Sequence, residues 1–147
     1  MTPEAVITAA RSYIGTPWKH QARCKGVGVD CIGLLVGAFV EAGTPIKDCI
    51  DYGKNPNPKR FLAHLVRQFE RVSGGNQLDV HADAGAWRFA APGDVLVFQF
   101  QGPDLPQHVG ISTGVGVIHT YQSAGAVAEH ALTYEWQRKV HSVWRVR

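Results

Sequence analysis

A cysteine at the start of an apolar stretch is the residue of this chain best suited to nucleophilic chemistry. Between Asp30 and Gly43 the residues are apolar apart from Glu41, and Cys31 is the first of them. Asp30 is a favoured N-cap, and Gly43 readily adopts the left-handed conformation that ends a helix. A helix that is apolar on every side is normally buried. The pattern therefore predicts a central buried helix with Cys31 at its first position.

That position makes Cys31 a candidate nucleophile. The partial positive charge at a helix N-terminus favours a thiolate over a thiol. Such an environment can lower the pKa of a cysteine from about 8.5 to roughly 3.5–7.5. The other interpretation is a small core residue, because free cysteine is among the most buried residue types. On this stretch alone, the two interpretations are equally well supported.

Two histidines are candidate partners of the thiol. His108 opens the apolar run VGI, and His119 lies within the run VIHTY. On neighbouring strands of a hairpin they would share one face, with Cβ atoms roughly 4.5–5.5 Å apart. A cysteine nucleophile needs an imidazole within hydrogen-bond reach and a polar group that orients it. Each histidine alone is more often structural, but together with Cys31 they predict a Cys-His-His site.

The remaining histidines and cysteines lack such a context. Surface or structural roles are expected for four histidines, namely His20, His81, His130 and His141. His64 falls within a helical stripe and is expected at the surface or partly buried. The three cysteines (Cys24, Cys31 and Cys49) cannot all pair within one chain, and no two have the spacing of a zinc hook. We therefore expect no disulfide framework, no structural metal and no organic cofactor.

Length and composition predict one globular domain covering residues 1–147. The chain is 45% hydrophobic and 18% charged, with a net charge of +3. Its basic residues are scattered, so a nucleic-acid partner is not indicated. The start MTPEA does not have the pattern of a secretory signal, and the apolar run Ile32–Val40 is too short to span a membrane. We therefore expect a soluble protein, made in the reducing cytoplasm and not bound to a membrane.

Helices are predicted in the first half of the chain and strands in the second. Thr2-Pro3 and Asn57-Pro58 each combine an N-cap with a proline at the first helical position. The first helix should run to about Ile14, and a stripe from Phe61 to Phe69 indicates another. Residues 18–29 are read as a loop that forms a wall of the site, and 72–85 as an exposed connection. Strands are predicted at 94–100, 108–112, 115–121, 126–132 and 140–146. This order favours an α+β fold, with N-terminal helices packed on an antiparallel sheet.

Four short segments of the chain match a known family pattern. They are, in order, DCIGL at 30–34, PGDVLVF at 92–98, HVGI at 108–111 and IH at 118–119. The set resembles the NlpC/P60 family, cysteine peptidases with a papain-like core that cut cell-wall peptides. The similarity extends from the first helix to about Tyr121. A further segment, GTPWKHQ at 15–21, resembles the branch carried by phage tails and gene-transfer-agent particles.

The resemblance implies a role for each candidate residue. Cys31 would be the nucleophile, His108 the general base and acid, and His119 the residue that orients His108. The implied substrate is the γ-D-glutamyl link to the diamino acid in peptidoglycan stem peptides. The implied partners are other tail or particle proteins, and the implied place of action is the periplasm or cell wall.

Four further residues are expected on the substrate side of the site: Trp18, His20, Asp30 and Ile32. Two of them depart from the family pattern. Many members have serine where this chain has Ile32, and many have tyrosine where it has Trp18. An indole donates one hydrogen bond but does not accept one as a phenol does. These departures affect specificity rather than the triad, and for Asp30 we rank helix capping above substrate binding.

Two alternatives to a peptidase remain open at this stage. One is a structural or binding protein, such as a tail component that holds murein without cutting it. The other is an acyltransferase, because an amine or alcohol can resolve a papain-like thioester in place of water. The intact set of Cys31, His108 and His119 argues against a purely structural role.

Overall fold

The helices of the protein precede most of its sheet, as the sequence predicts. The computed structural model describes residues 2–53 and 57–147. Within those ranges the helices are α1 (Pro3–Arg11), α2 (Cys31–Glu41), α3 (Pro58–Val66) and α4 (Tyr134–Gln137), with a short 3-10 helix at Ala86–Phe89. None of the helices in this part of the chain is long and apolar enough to cross a bilayer.

Eight strands in the described residues form two antiparallel sheets. The strands are β1 (Arg23–Cys24), β2 (Gly28–Val29), β3 (Phe69–Arg71), β4 (Val95–Phe98), β5 (His108–Ser112), β6 (Gly116–His119), β7 (Ala128–Ala131) and β8 (Val140–Val146). β1 and β2 make a small ribbon, and the others form a six-stranded sheet in the order β3-β8-β4-β5-β6-β7. The α+β prediction, with helices packed on an antiparallel sheet, is confirmed.

The predicted helix starts are present, but one predicted helix end is wrong. Thr2 accepts a hydrogen bond from Ala5, and Asn57 caps α3 in the same manner. α1 ends at Arg11 rather than near Ile14. From Ser12 onward the backbone N–H groups bond to carbonyls three residues back, which tightens the last turn before the chain leaves the helix.

Three stretches differ from their predicted conformation. Phe69 belongs to β3 rather than to the helical stripe, because the backbone of 69–71 pairs with β8. The loop 18–29 contains the β1-β2 ribbon. The connection 72–85 is only partly exposed, because it wraps around the buried guanidinium of Arg71. That group donates to Asp83 and to backbone carbonyls of the same connection.

Helix α2 packs against α1 and against β5 of the sheet, and α1 also contacts β5. The buried side chains of α2 include Leu34, Leu35 and Phe39. The Phe39 ring meets Phe69 edge to face, with 5.4 Å between ring centroids. Full burial of each such side chain contributes about 1.5–3 kcal/mol. This packing holds the N-terminus of α2 in a fixed position on the sheet.

The opposite face of the sheet carries a second apolar cluster, which includes Leu96, Phe98, Val117 and Val143. Trp136 of α4 packs against this cluster. The sheet is therefore covered on both faces, which explains why β4, β5 and β6 are buried along their whole length.

Candidate active site

The N-terminus of α2 is fixed by Asp30. One oxygen of its carboxylate accepts the backbone N–H of Gly33 at 2.8 Å, and its backbone carbonyl accepts the N–H of Leu34. The predicted N-cap is thus present, and Cys31 is the first residue of the helix. The backbone N–H groups of a first helical turn have no partners within their own helix.

The same carboxylate also joins two loops to α2. Besides Gly33, its donors are the N–H of Gln21 (2.8 Å), the guanidinium of Arg23 (2.9 Å) and the hydroxyl of Tyr52 (2.5 Å). Burial and the Asp30 carboxylate raise the pKa of Tyr52, so the phenol stays protonated and donates. Donors of the protein itself therefore engage both oxygens of Asp30. This geometry matches the capping role that the sequence ranked above substrate binding.

A groove of about 430 Å³ runs along this helix end. Of the seven residues singled out in the sequence, six line it: Trp18, His20, Asp30, Cys31, Ile32 and His108. His119 lies behind His108 and is 2% exposed. On one rim, the His20 ring meets Tyr52 edge to face at 5.8 Å between centroids. The structure thus gathers the predicted residues around a single groove.

The thiol of Cys31 is protonated in the free protein, contrary to the lowered pKa expected at a helix N-terminus. Burial raises the pKa of Cys31 to about 12, and the negative charge of Asp30 adds to that rise. Hydrogen bonds from the backbone amides of Val109 and Ile32 favour the thiolate, as does the charge of Arg23. Their combined effect does not outweigh the burial. The Val109 amide also shows that the sulfur lies beside the start of β5, the strand whose first residue is His108.

His108 and His119 are joined by a hydrogen bond between buried rings. Nε2 of His108 lies 2.8 Å from Nδ1 of His119. The two share a face of the sheet, as predicted. The hairpin prediction implied directly opposite positions, whereas the structure makes the two residues diagonal neighbours. The register pairs Ile111 with Ile118, which places His119 opposite Gly110. Gly110 is essential to this approach, because a Cβ there would lie 3.0 Å from the Cβ of His119.

Both rings are neutral at neutral pH. Burial lowers the pKa of His119 to about 3, with a smaller contribution from the neighbouring His130. Burial, and then His119, lower the pKa of His108 well below its usual value. A neutral imidazole has one donor nitrogen and one acceptor nitrogen. In the hydrogen bond between these rings, one of the two facing nitrogens therefore donates and the other accepts.

A third imidazole, which sequence reasoning assigned to a surface or structural role, continues the pair. Nε2 of His130 lies 2.7 Å from Nε2 of His119, and its Nδ1 lies 2.8 Å from the carbonyl oxygen of Ala131. His108, His119 and His130 are spaced 11 residues apart in both steps. In each step the two histidines are diagonal neighbours on one face, because the register places His119 opposite Gly110 and His130 opposite Val117. The connections between these strands differ in length, at 113–115 and 120–127, so no sequence signal identifies His130.

Aromatic side chains enclose the three histidines. Phe100 stacks on His108 at 4.8 Å between ring centroids. Trp136 lies 4.9 Å from His119 and 4.8 Å from His130. These contacts shield the rings from water, in agreement with the lowered pKa values. Sequence reasoning missed Trp136, because α4 is a single turn without a side-chain N-cap hydrogen bond.

A second thiol and imidazole also line the groove. Sγ of Cys49 lies 3.4 Å from Nε2 of His64, and the backbone N–H of Asp51 donates to the same sulfur at 3.4 Å. His64 is half-buried, as predicted. Any assignment of the nucleophile must therefore distinguish Cys31 from Cys49.

The two remaining histidines have structural or surface positions, as expected. His141 is fully buried and bonds to Ser142 and to the carbonyl oxygen of Val80. His81 is exposed and pairs with Asp104 at 3.2 Å.

Comparison with known proteins gives a consistent fold. No family model and no curated protein matches the sequence. An NLP/P60-family protein from Staphylococcus aureus, described as similar to lipoprotein, superimposes with a TM-score of 0.66 at 16% identity. The peptidoglycan hydrolase RipB from Mycobacterium tuberculosis gives 0.62 at 24% identity. RipD from the same organism, described as a non-catalytic NlpC/p60 domain protein adapted to peptidoglycan binding, gives 0.62 at 18% identity.

These superpositions extend over almost the whole chain. They cover 98–99% of it, but 41% of the staphylococcal protein, 65% of RipB and 97% of RipD. The chain thus spans less than two thirds of the first two neighbours. At these identities the likeness concerns the fold, which is that of NlpC/P60 domains.

Proposed function

We propose that this protein is a cysteine endopeptidase that hydrolyses peptidoglycan stem peptides at the γ-D-glutamyl–diamino acid bond. In this proposal Cys31 is the nucleophile, His108 the general base and acid, and His119 the residue that orients His108. The observation that carries it is the shared groove, which is lined by Cys31 at a helix N-terminus and by His108, with His119 hydrogen-bonded behind His108. The fold it shares with the peptidoglycan hydrolase RipB supports the same substrate class.

The reaction begins from a neutral thiol and a neutral imidazole. As the sulfur of Cys31 bonds to the amide carbonyl carbon, its proton passes to His108 and the carbonyl electrons move to the oxygen. The backbone N–H of Cys31, together with a neighbouring donor, stabilises that oxyanion. When the C–N bond breaks, His108 gives the proton to the leaving amine. Water then attacks the thioester while His108 accepts its proton, and that proton returns to the sulfur when the acid product leaves.

The high pKa of Cys31 determines when charge separates. Burial and the Asp30 carboxylate disfavour the thiolate, and burial also disfavours the His108 imidazolium. Both effects disfavour a resting thiolate–imidazolium ion pair. Proton transfer accompanies the attack on the substrate, when the new C–S bond removes the negative charge from sulfur.

The charges of the groove are compatible with this substrate. A γ-D-glutamyl link leaves the α-carboxylate of the glutamate free, close to the bond that is cut. Lys47 and Arg60 line the groove and supply cationic groups for carboxylates, and Arg60 also pairs with Asp51 at 3.3 Å. Trp18 and Ile32 add apolar surface near Cys31.

The proposal includes delivery by a phage-like tail or gene-transfer-agent particle, with other particle proteins as partners and the cell wall as the site of action. It rests on the resemblance of GTPWKHQ at 15–21 to the tail-borne branch. Mass spectrometry of purified particles tests it. Copies of this chain in intact particles support delivery, and their absence from particles contradicts it.

Murein binding without cleavage is the second candidate function. RipD, a non-catalytic protein adapted to peptidoglycan binding, has the same fold, and the Cys31 thiol is neutral in the free protein. In this case the groove would hold stem peptides, and the thiol would have no role in turnover.

Mass spectrometry of muropeptides incubated with the reduced protein separates these functions. The wild-type protein should produce fragments whose masses identify the cut bond, and Cys31→Ala should produce none. Cys49→Ala, a matched control in the same groove, should retain activity. Loss of cleavage in Cys49→Ala alone would reassign the nucleophile. Intact muropeptides that co-purify with the reduced protein would establish binding, and conjugates with an added amine would indicate acyl transfer.

A further inference from the structure

His108, His119 and His130 are joined by hydrogen bonds into a row of rings, here called the histidine chain. A backbone group fixes its outer end, at His130. The carbonyl oxygen of Ala131 only accepts hydrogen bonds, so Nδ1 of His130, 2.8 Å away, must carry a proton. With that single proton on Nδ1, Nε2 of His130 is an acceptor. Ala131 belongs to β7, and its carbonyl does not rotate as a side chain would. It therefore defines one direction of donation.

The direction passes from ring to ring along the chain. Nε2 of His119 lies 2.7 Å from the acceptor Nε2 of His130, so His119 donates through Nε2. Nδ1 of His119 is then an acceptor, and Nε2 of His108, 2.8 Å away, donates to it. Nδ1 of His108 is thereby left without a proton. In the proposed mechanism, this is the nitrogen that takes the proton from Cys31.

We propose that His130 is a positioning residue, which sets the tautomers of His119 and His108 through its hydrogen bond to Ala131. The inference rests on the proposed peptidase function and extends its catalytic set from three side chains to four. His119 alone can orient His108, but it can do so with either nitrogen protonated. The acceptor at His130 removes that ambiguity.

The surroundings of His130 suit a positioning role. Trp136 packs 4.8 Å from its ring and 4.9 Å from His119, and so holds the two rings in register. His130 stands opposite Val117 on β6, two residues from His119. The ring is half-exposed, whereas His108 and His119 are 3% and 2% exposed. It therefore connects the buried pair to the surface without entering the groove.

Two substitutions separate hydrogen bonding from packing. His130→Phe keeps a ring against Trp136 but removes both nitrogens. His130→Gln keeps an acceptor for His119 and a donor for Ala131. A matched control is His81→Phe. It removes an exposed histidine that pairs with Asp104 and is not one of the three hydrogen-bonded histidines.

Tautomers are read directly from long-range ¹H–¹⁵N correlation spectra of the ¹⁵N-histidine-labelled protein. In the wild type we expect His108 and His119 to be protonated at Nε2 only, and His130 at Nδ1. In His130→Phe the signals of His108 and His119 should show a mixture of tautomers. His130→Gln and His81→Phe should keep the single form. This measurement needs no substrate.

Kinetics with the muropeptide substrate add a second readout. A wrong tautomer in a catalytic triad lowers turnover by as much as about 10⁴-fold. Because His130 acts through an intervening ring, we expect kcat/KM to fall about 10–100-fold in His130→Phe, by analogy with residues that orient metal ligands. His130→Gln should lie within about threefold of the wild type.

The outcomes distinguish this inference from the proposed function. Protonation of wild-type His108 at Nδ1, or unchanged tautomers in His130→Phe, would overturn the role of His130 even if the protein is an active peptidase. Expected tautomers in a protein that cuts no muropeptide would support the hydrogen-bond role and refute the peptidase. If His130→Phe does not fold, the spectra of the wild type and of His130→Gln still test the role of His130. Both should show His108 protonated at Nε2 only, and any other tautomer would overturn that role.

Discussion

Replacing Gly110 with alanine tests the close approach on which the histidine pair depends. Gly110 lies on β5 opposite β6, and both strands are buried. A Cβ at this position would lie 2.6 Å from Cγ2 of Val117, 3.0 Å from the Cβ of His119 and 3.3 Å from the carbonyl oxygen of Ile118. Neither neighbouring side chain has room to yield, because Val117 is fully buried and stiff at χ1, and His119 is bonded on both sides.

The expected loss of stability follows from these distances. Overpacking of a buried site by a methyl group typically costs about 1–3 kcal/mol. Replacing a strand glycine by alanine returns roughly 0.5–1 kcal/mol of backbone entropy. We therefore expect Gly110→Ala to lower the free energy of unfolding by about 1–2 kcal/mol. With about 2.1 cal/mol/K of unfolding entropy per residue, Tm should fall by roughly 3–6 °C.

Calorimetry and muropeptide cleavage measure the two consequences. The matched control for calorimetry is Gly53→Ala, because Gly53 has ordinary φ and no atom of the described residues within 4 Å of the added carbon. Because Gly53 lines the groove, this control is compared by Tm alone. Its Tm should stay the same or rise slightly. Gly110→Ala should also lower kcat/KM by at least tenfold, because displacing His119 breaks its 2.8 Å bond to His108. A variant with wild-type Tm and wild-type turnover would refute the packing argument.

Three further predictions concern charge. His119 is protonated below about pH 3 in the folded protein but near 6.5 when unfolded. The unfolded state therefore binds more protons between these values, and acid should remove about 1.4 kcal/mol of stability per pH unit. Urea unfolding of the wild type and of His119→Gln at pH 5 and 6.5 measures this dependence. The free energy of unfolding should change less with pH in His119→Gln, and an equal change would refute the assignment. Arg23→Met should lower the free energy of unfolding, measured in urea, by about 1–3 kcal/mol, because Asp30 loses a charged donor. A smaller loss would mean that the Tyr52 hydroxyl is enough to compensate the buried carboxylate. Glu129→Gln, which breaks an exposed pair, should change stability by less than about 1 kcal/mol, and a larger change would contradict its surface character.

The sequence predicts the position of Cys31 well, because local rules determine it. The Asp30 cap and the apolar run identify α2 without reference to the rest of the chain, and the structure places both as expected. The pKa of the thiol was predicted in the wrong direction. That prediction considered only the helix end, whereas burial by the sheet and the charge of Asp30 dominate. The burial is not visible before the chain folds, whereas Asp30 is adjacent in the sequence and was considered only as a helix cap.

The histidines show the limit of pattern reading across strands. Their shared face follows from alternation, which is local. Their diagonal placement depends on the register between the strands. The turn type and the loop length set that register, and the sequence pattern alone does not give them. His130 escaped notice for the same reason, since β7 is short and mostly exposed. Likewise, the connection 72–85 has no apolar pattern, because a single buried arginine organises it.

The carbonyl oxygen of Ala131 ends the histidine chain, and every amino acid has such an oxygen. A mutation that changes the side chain at 131 while the strand stays paired leaves the acceptor in place. Position 131 can therefore vary among related sequences without altering the chemistry that its backbone supports. Redesign of this end of the site would have to act on the course of β7 itself, by an insertion, a bulge or a shifted register.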